Sequence, residues 1–329
     1  MSDRSRPTQR EENPFPHSDS HKRYYTYDYW LRETFGGKCA KIPLDAGFTC
    51  PNIDGRCGHG GCIYCSPRGS GDFAESALLP LREQYERGVA TLSRKWSVER
   101  CIPYFQAHTN TYAPARHLRR IYDEVLTFPH VVGVNIASRA DCLPPDTVAY
   151  LAELADRTTL TVELGLQTAH DTTAARINRG HTYADFVEGY TRLREASPRI
   201  HTCIHLIFGL PDESEEDMLD TVRAVAALHP HQVKIHLLHV LRNTALAETY
   251  EGGEYIPMER ERYIDTVVRA LELLPPDTVV ARLTGDGAAA DLLAPMWSRA
   301  KMAVINDIDG ELYRRKTVQG SKYKQQIEL

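Results

Sequence analysis

Six short apolar runs, each followed by a longer stretch of helical periodicity, constrain this chain more than any other feature. The runs are Cys39–Pro43, Ile102–Ala107, Val131–Ala137, Leu160–Leu164, Thr202–Ile207 and Gln232–Leu238. Each is almost continuously apolar, as a parallel strand covered on both faces must be. Helical patterns occupy the segments near Glu75–Lys95, Pro114–Thr127, Pro145–Asp156, Tyr183–Ala196, Ser214–Leu228 and Glu259–Leu274. Pro114 and Pro145 suit a first helical turn, where a missing N–H leaves no bond unmade. Ser214 with Asp217 three residues on forms an N-terminal cap, with Asp standing where a capping box carries Glu or Gln. The chain is therefore α/β, with six β/α units that form either a partial barrel or an open doubly wound sheet, since periodicity is the same in both. In either, chemistry gathers in the loops at the carboxyl ends of the strands.

The 329 residues accommodate one such domain, which takes about 250 residues when the barrel is complete. We divide the chain into an N-terminal arm (1–24), a core domain (25–275) and a C-terminal extension with a basic tail (276–329). The arm mixes charges, Pro and Ser without an apolar core segment, so it reads as disordered and not as a signal peptide. No apolar run approaches the roughly 18 residues of a membrane span, and a cytoplasmic protein with no membrane partner is expected. A net charge of −5 offers nucleic acid no global attraction. From Arg299 to Leu329, however, seven Lys or Arg stand against four acids, which makes that segment locally basic.

Four of the eight cysteines crowd into CPNIDGRCGHGGCIYC, residues 50–65. In a large chain without an export signal such clustering points to metal ligation, not to disulfides. Thiolates suit iron–sulfur clusters because soft sulfur stabilises iron and its charge offsets that of the metal. Cys50, Cys62 and Cys65, with eleven and then two residues between them, supply three ligands and leave one iron of a four-iron cluster open. Cys57 as a fourth ligand would close that iron, so Cys57 is assigned as a spare thiol, and His59 is likewise placed outside the ligand set. The rival reading of the loop is a four-cysteine zinc site. Glycines between the cysteines let backbone N–H groups approach a cluster, and Tyr64 offers an aromatic wall to an adenine or, equally, a core side chain.

The Cx11CxxC loop after the first strand, the aromatic residue before the third cysteine and the β/α series resemble the radical S-adenosylmethionine (SAM) superfamily. Within it, KIPLDAGFTCPNIDGRCGHGGCIYC, YFQAHTNTYAP, ELGLQT, INRGHTY and HLIFGLPDES together resemble the elongator-catalytic-subunit-like branch and its bacterial relatives of the YhcC/YtqA type. The resemblance implies a partial (β/α)6 radical SAM barrel with a short C-terminal extension. It also implies a [4Fe-4S] cluster on Cys50, Cys62 and Cys65 whose open iron chelates S-adenosyl-L-methionine. Reductive cleavage would then yield methionine and a 5′-deoxyadenosyl radical that abstracts hydrogen from the substrate, with a flavodoxin or ferredoxin as reductant.

Cofactor contacts follow from strand-end position and from that resemblance. Thr109 and Asn110 are candidates for the methionyl amino group, Asn135 for the ribose, and Ser138 and Arg139 for the carboxylate, whose charge suits a guanidinium fork. Gln167 and Arg179 match, in position and spacing, cofactor contacts of the oxygen-independent coproporphyrinogen oxidase branch. His205 stands where that branch carries Asp. Glu163, in an apolar strand, needs a partner inside the barrel. His108, Lys234, His236, His239 and Arg242 either face substrate or pack structurally. The elongator-like resemblance implies tRNA as substrate, at a wobble-uridine side chain, with the basic tail and Arg116, Arg119 and Arg120 as phosphate contacts. The alternatives are radical chemistry on a small molecule or tetrapyrrole, and a non-catalytic metal-stabilised RNA-binding module.

Overall fold

In the computed structural model, which describes residues 13–324 apart from Ser70, Asp72, Asp286 and Ala288, every apolar run becomes a strand. The chain begins with α1 (Tyr27–Phe35), β1 (Ala40–Leu44), α2 (Leu81–Ser93), β2 (Cys101–Phe105), α3 (Ala115–Val125) and β3 (Gly133–Ser138). It continues through α4 (Pro145–Ala155), β4 (Thr159–Gln167), α5 (Asp171–Arg176), α6 (Tyr183–Ala196), β5 (Ile200–Phe208), α7 (Glu215–Leu228) and β6 (Gln232–Leu237). It ends with β7 (Val240–Leu241), α8 (Ala245–Glu251), α9 (Arg260–Leu273), β8 (Val279–Arg282), β9 (Leu292–Ala294) and α10 (Lys301–Arg314). No described helix is long and apolar enough to cross a membrane.

Seven strands form one parallel sheet in the order β1-β2-β3-β4-β5-β6-β8. The sequential order is what repeated β/α crossovers of one hand produce, and the twist of parallel strands curls the sheet into a half-barrel. β1 and β8 are its two edges. The seventh strand comes from the segment read as a C-terminal extension, and Thr26 bridges to Val280 on it, so the core continues past residue 275. The arm also differs from expectation. Residues 1–12 lie outside the described part, but 13–24 pack against the body: Phe15 and Tyr24 are buried, Asn13 donates to the carbonyls of Ser20 and Lys22, and Lys22 pairs with Asp309 of α10. Two aromatic side chains in a polar stretch are enough to anchor it.

Caps fall where turn chemistry requires. Thr182 with Asp185 and Ser214 with Asp217 make reciprocal capping boxes on α6 and α7, each satisfying two otherwise orphaned N–H groups. Pro145 is the first residue of α4, whereas Pro114 precedes α3 as its cap. α2 starts at Leu81, not at Glu75, because Pro80 has φ −54°, ψ 144° and stops a helix from extending backward through it.

α6 approaches the 3-10 turn Ala140–Cys142 so closely that a methyl group on Gly189 would sit 2.0 Å from the Ala140 carbonyl oxygen. Gly189→Ala is therefore expected to destabilise the protein by about 1–3 kcal/mol or more, as overpacking does, with a lowered thermal midpoint. An unchanged midpoint would mean that this helix is free to shift.

Candidate cofactor site

The loop between β1 and α2 carries the cysteines, and its shape is set by one buried amide. Asn52 is fully buried; its Nδ2 donates to the Asn178 carbonyl and lies 3.7 Å from Cys62 Sγ. Added methyl groups on Gly58 and Gly180 would lie 2.1 and 2.7 Å from Asn52 Oδ1, and Gly180 has φ +74°, so both positions require glycine. From the other side, Asn178 donates to the carbonyls of His59 and Gly61 at 2.9 and 2.7 Å. The segment after α5 thus clasps the cysteine loop. Asn52 and Asn178 were not singled out from sequence, although both lie within the quoted motifs; a buried amide's bonding is not visible in spacing.

Cys50, Cys62 and Cys65 line one cavity of ≈ 230 Å³ together with Tyr64, Thr109, Ser138, Arg139, Glu163, Gln167, Arg179 and His205. Arg179 Nη1 reaches Cys62 Sγ at 3.9 Å, and Nη2 donates to the Gly165 carbonyl. A hydrogen bond from Cys65 and the Arg179 guanidinium hold the Cys62 thiol well below its ordinary range, while burial pushes the Cys57 thiol up. Cys57 is exposed, accepts from Arg139 Nη2 at 3.5 Å and lines a different groove. Among the described residues no three His, Cys, Asp or Glu side chains converge on a single ion. Three thiols spread around one cavity, one of them with guanidinium and amide donors directed at its sulfur, fit a polynuclear cluster, in which each sulfur takes its own iron. The buried Arg179 Nε has no protein partner, a further donor left for whatever fills the cavity.

Arg139 also lines this cavity, but its donors are engaged. It grips Asp141 bidentately at 2.9 and 2.8 Å and donates to the carbonyls of Arg179 and Gly180 at 2.7 and 3.2 Å. It acts as a brace that fixes the loop carrying Arg179, not as an open fork for a carboxylate. Asn110 donates through Nδ2 to the carbonyls of Phe105, Ala107 and Ala137, locking the β2 strand end, while its buried Oδ1 has no protein partner. Ser138 bonds Thr111 at 2.5 Å and remains at the cavity wall, as does Thr109. Gln167 lines the cavity with φ +76° at a register shift in β4. Such backbone strain in a non-glycine residue is retained where the surroundings dictate it. His108, also with positive φ, and His236 line it as well, and each carries a buried nitrogen without a hydrogen-bond partner.

Below this layer the inner face of the sheet carries one polar group from each strand: Lys41, Tyr104, Asn135, Glu163, His205, Lys234 and Arg282. Glu163 is completely buried, and both its oxygens are saturated. Oε1 accepts from Lys41 Nζ and Asn135 Nδ2, each at 2.8 Å. Oε2 accepts from Tyr104 OH at 2.8 Å, His205 Nε2 at 2.9 Å and Lys234 Nζ. Burial raises the carboxyl's pKa, but the two ammonium groups outweigh it and hold Glu163 well below the carboxylate range. Burial brings His205 down to about 4, leaving it neutral at pH 7, and lowers Lys234 to about 8. Asn135, Glu163 and His205 therefore form one network: Asn135 and His205 spend themselves on Glu163, and Asn135 does not line the cavity.

Some of the basic groups expected at phosphate are paired. Arg119 bonds Glu153, Arg314 and Arg315 bond Glu311, and Lys322 bonds Glu272. Residues 325–329 of the tail lie outside the described part.

A family model described as the Radical SAM superfamily matches residues 52–225, and one described as the Radical_SAM C-terminal domain matches residues 230–314. Protein YtqA of Bacillus subtilis is 46% identical over 316 residues, covering 96% of this chain and 97% of that protein. YhcC of Escherichia coli is 33% identical over 292 residues, 88% of this chain and 92% of that protein. Among solved structures, archaeal Elp3 of Methanocaldococcus infernus, with an N-terminal deletion, matches the fold with a TM-score of 0.63 at 16% identity; the match covers 85% of this chain and 64% of that one.

Proposed function

The chain belongs to the radical SAM superfamily, and from that membership we propose that it modifies a wobble-uridine side chain of tRNA, in the cytoplasm. Its cofactors are those of the superfamily, a [4Fe-4S] cluster and SAM. When bound, they supply one-electron cleavage of SAM and hydrogen-atom abstraction from the substrate.

The observation that carries the reading is the single cavity in which Cys50, Cys62 and Cys65 meet groups from the ends of β2 to β6. Cys50, Cys62 and Cys65 would hold the cluster. Arg179 and Asn52 direct donors at Cys62 sulfur, which would raise the potential of a metal bound there by offsetting its negative charge. Tyr64, packed against the apolar cluster that includes Ile177, Leu210 and Leu246, forms part of the cavity wall. The Arg139–Asp141 brace holds Arg179 in place through its backbone carbonyl. Support for tRNA comes from the elongator-like motifs and from the fold shared with Elp3.

The proposal is tested in two steps. Anaerobically reconstituted protein is expected to form 5′-deoxyadenosine from SAM when dithionite is added; no turnover would remove the enzymatic reading and leave a metal-stabilised module. Nucleosides from tRNA of strains with and without the gene are expected to differ at the wobble uridine. An unchanged profile would remove tRNA and leave a small molecule or tetrapyrrole.

A further inference from the structure

The open edge of the half-barrel, between β1 and β8, holds a second cavity of ≈ 540 Å³. Cys50, Cys62 and Cys65 do not line it, but it meets the cysteine-lined cavity at three shared side chains, Tyr104, Gln106 and Arg282. Two of the three are spent within the protein. Tyr104 OH donates to Glu163 Oε2 at 2.8 Å and accepts from Lys234 Nζ at 3.3 Å, and Arg282 is engaged as well. Gln106 is different. It directly follows Phe105, the last residue of β2, and is half-buried, yet no described residue makes a hydrogen bond to its carboxamide.

A carboxamide sets a donor and an acceptor side by side in one plane. Its complement is another such pair, an N–H beside a C=O on a flat ring, joined by two parallel hydrogen bonds. The rest of the edge cavity suits a flat ring too. Leu31, Ile102 and Ala281 give it apolar walls, and Phe73, which also lines it, leaves 54% of its surface exposed. An aromatic face held open to solvent beside an unpaired amide is the combination by which proteins take up an unstacked base, the ring stacking and the amide bonding the base's edge. The lysines of this cavity do not compete for that edge: both Lys41 and Lys234 are ion-paired with Glu163.

We propose that the edge cavity receives a splayed-out pyrimidine base, with Phe73 stacking on its face and Gln106 bonding its amide edge. For uracil, Gln106 Nε2 donates to the C4 carbonyl and Oε1 accepts from N3–H. This deepens the tRNA reading and rests on it. Gln106 is in this assignment a specificity-determining residue that touches substrate and not the cofactor, because it stands where the cluster cavity continues into a space that the three cysteines do not line. A base held there lies at the boundary between the two cavities, so a substituent on its ring can enter the cysteine-lined one. Since a carboxamide can turn over, Gln106 reads the presence of a neighbouring donor and acceptor and not their order.

The test uses reconstituted protein with SAM added, titrated calorimetrically with uridine and with N3-methyluridine, which keeps the ring but lacks the N3 donor. Uridine is expected to bind at least about tenfold more tightly, since the methylated base leaves Gln106 Oε1 unpaired. Gln106→Leu is expected to weaken uridine about tenfold and to erase the preference, whereas Phe73→Ala weakens both nucleosides alike, as loss of stacking does. Equal binding of the two nucleosides by the wild-type protein, or no saturable binding of uridine, would overturn the proposal even if the variants do not fold. Weakened SAM binding by Gln106→Leu would overturn it as well, by making Gln106 a cofactor contact. The outcome is separable from the tRNA reading. A retained uridine preference beside an unchanged tRNA nucleoside profile would remove tRNA and leave a pocket for a free pyrimidine; a changed profile beside equal binding would keep tRNA and remove Gln106 from recognition.

Discussion

Cys50→Ala, Cys62→Ala and Cys65→Ala are each expected to abolish 5′-deoxyadenosine formation and to deprive reconstituted protein of most of its bound iron and sulfide, whereas Cys57→Ala retains both. The four thiols lie within sixteen residues, so proximity in sequence does not separate them. Geometry does. Three line the cavity that the strand ends also reach, and Cys57 lines a groove with Thr111, Asp141 and Cys142. Removing a ligand exposes a second iron and lowers the cluster's affinity steeply, because each thiolate neutralises and anchors one metal centre. Removing Cys57 takes away one weak acceptor of Arg139, which keeps its bidentate hold on Asp141 and two carbonyls. The check is iron and sulfide analysis together with visible absorbance. Loss of iron from Cys57→Ala equal to that from the other three would show four equivalent ligands and would revive a closed site.

Glu163→Gln is expected to destabilise the protein by about 3–5 kcal/mol, the usual consequence of removing one partner of a buried ion pair. The substitution keeps shape but leaves Lys41 and Lys234 facing an amide, whose NH2 has nothing to donate to on the lysine side. Against a total stability of about 5–15 kcal/mol that is a large fraction, readable as a shift in the denaturant midpoint. Adding Lys234→Met should recover part of the loss, since it removes the buried cation that the first change stranded. The pH dependence has a definite sign. Glu163 is depressed in the folded state, so its contribution is fully present above the ordinary carboxylate range and is lost as pH falls through its folded value. The gap between wild type and variant should therefore be full at pH 7 and narrow only in strong acid. A midpoint unchanged at pH 7 would mean that the lysines find other partners and that the network is not held by this carboxylate.

Much of the fold was readable beforehand, and the reason is locality. A parallel strand covered on both faces must be apolar along its length, and β1 to β6 all fell on the apolar runs within a few residues. Capping at Ser214 and Thr182 depends on three-residue spacing, which the sequence displays directly. Where the reading went astray, the deciding contact was long-range. β8 joins the sheet by pairing Val279 and Val280 with Gln232 and Val233, more than forty residues earlier, and residues 13–24 are held by α10, nearly three hundred residues on.

The same division runs through the site. Clustering marked the cysteine loop as a metal site, because ligand chemistry depends on residue type and short intervals; the choice of Cys50, Cys62 and Cys65 over Cys57 rested on the need for an open iron and on the family resemblance. The partner that Glu163 had to have was implied by the cost of burying a lone carboxylate. Which groups would answer it was not: they come from five other strands, and only the curl and register of the sheet bring Lys41 and Lys234 to the same two oxygens. Arg139 was legible as a polar group at a strand end, yet nothing local showed that Asp141 and the carbonyls of Arg179 and Gly180 had already claimed its donors. Sequence by itself determined the strand series, the cysteine loop and the class of chemistry. Only the tertiary structure decided which polar side chains are spent on one another and which line the cysteine-bearing cavity, because hydrogen-bond capacity is exhausted by neighbours in space.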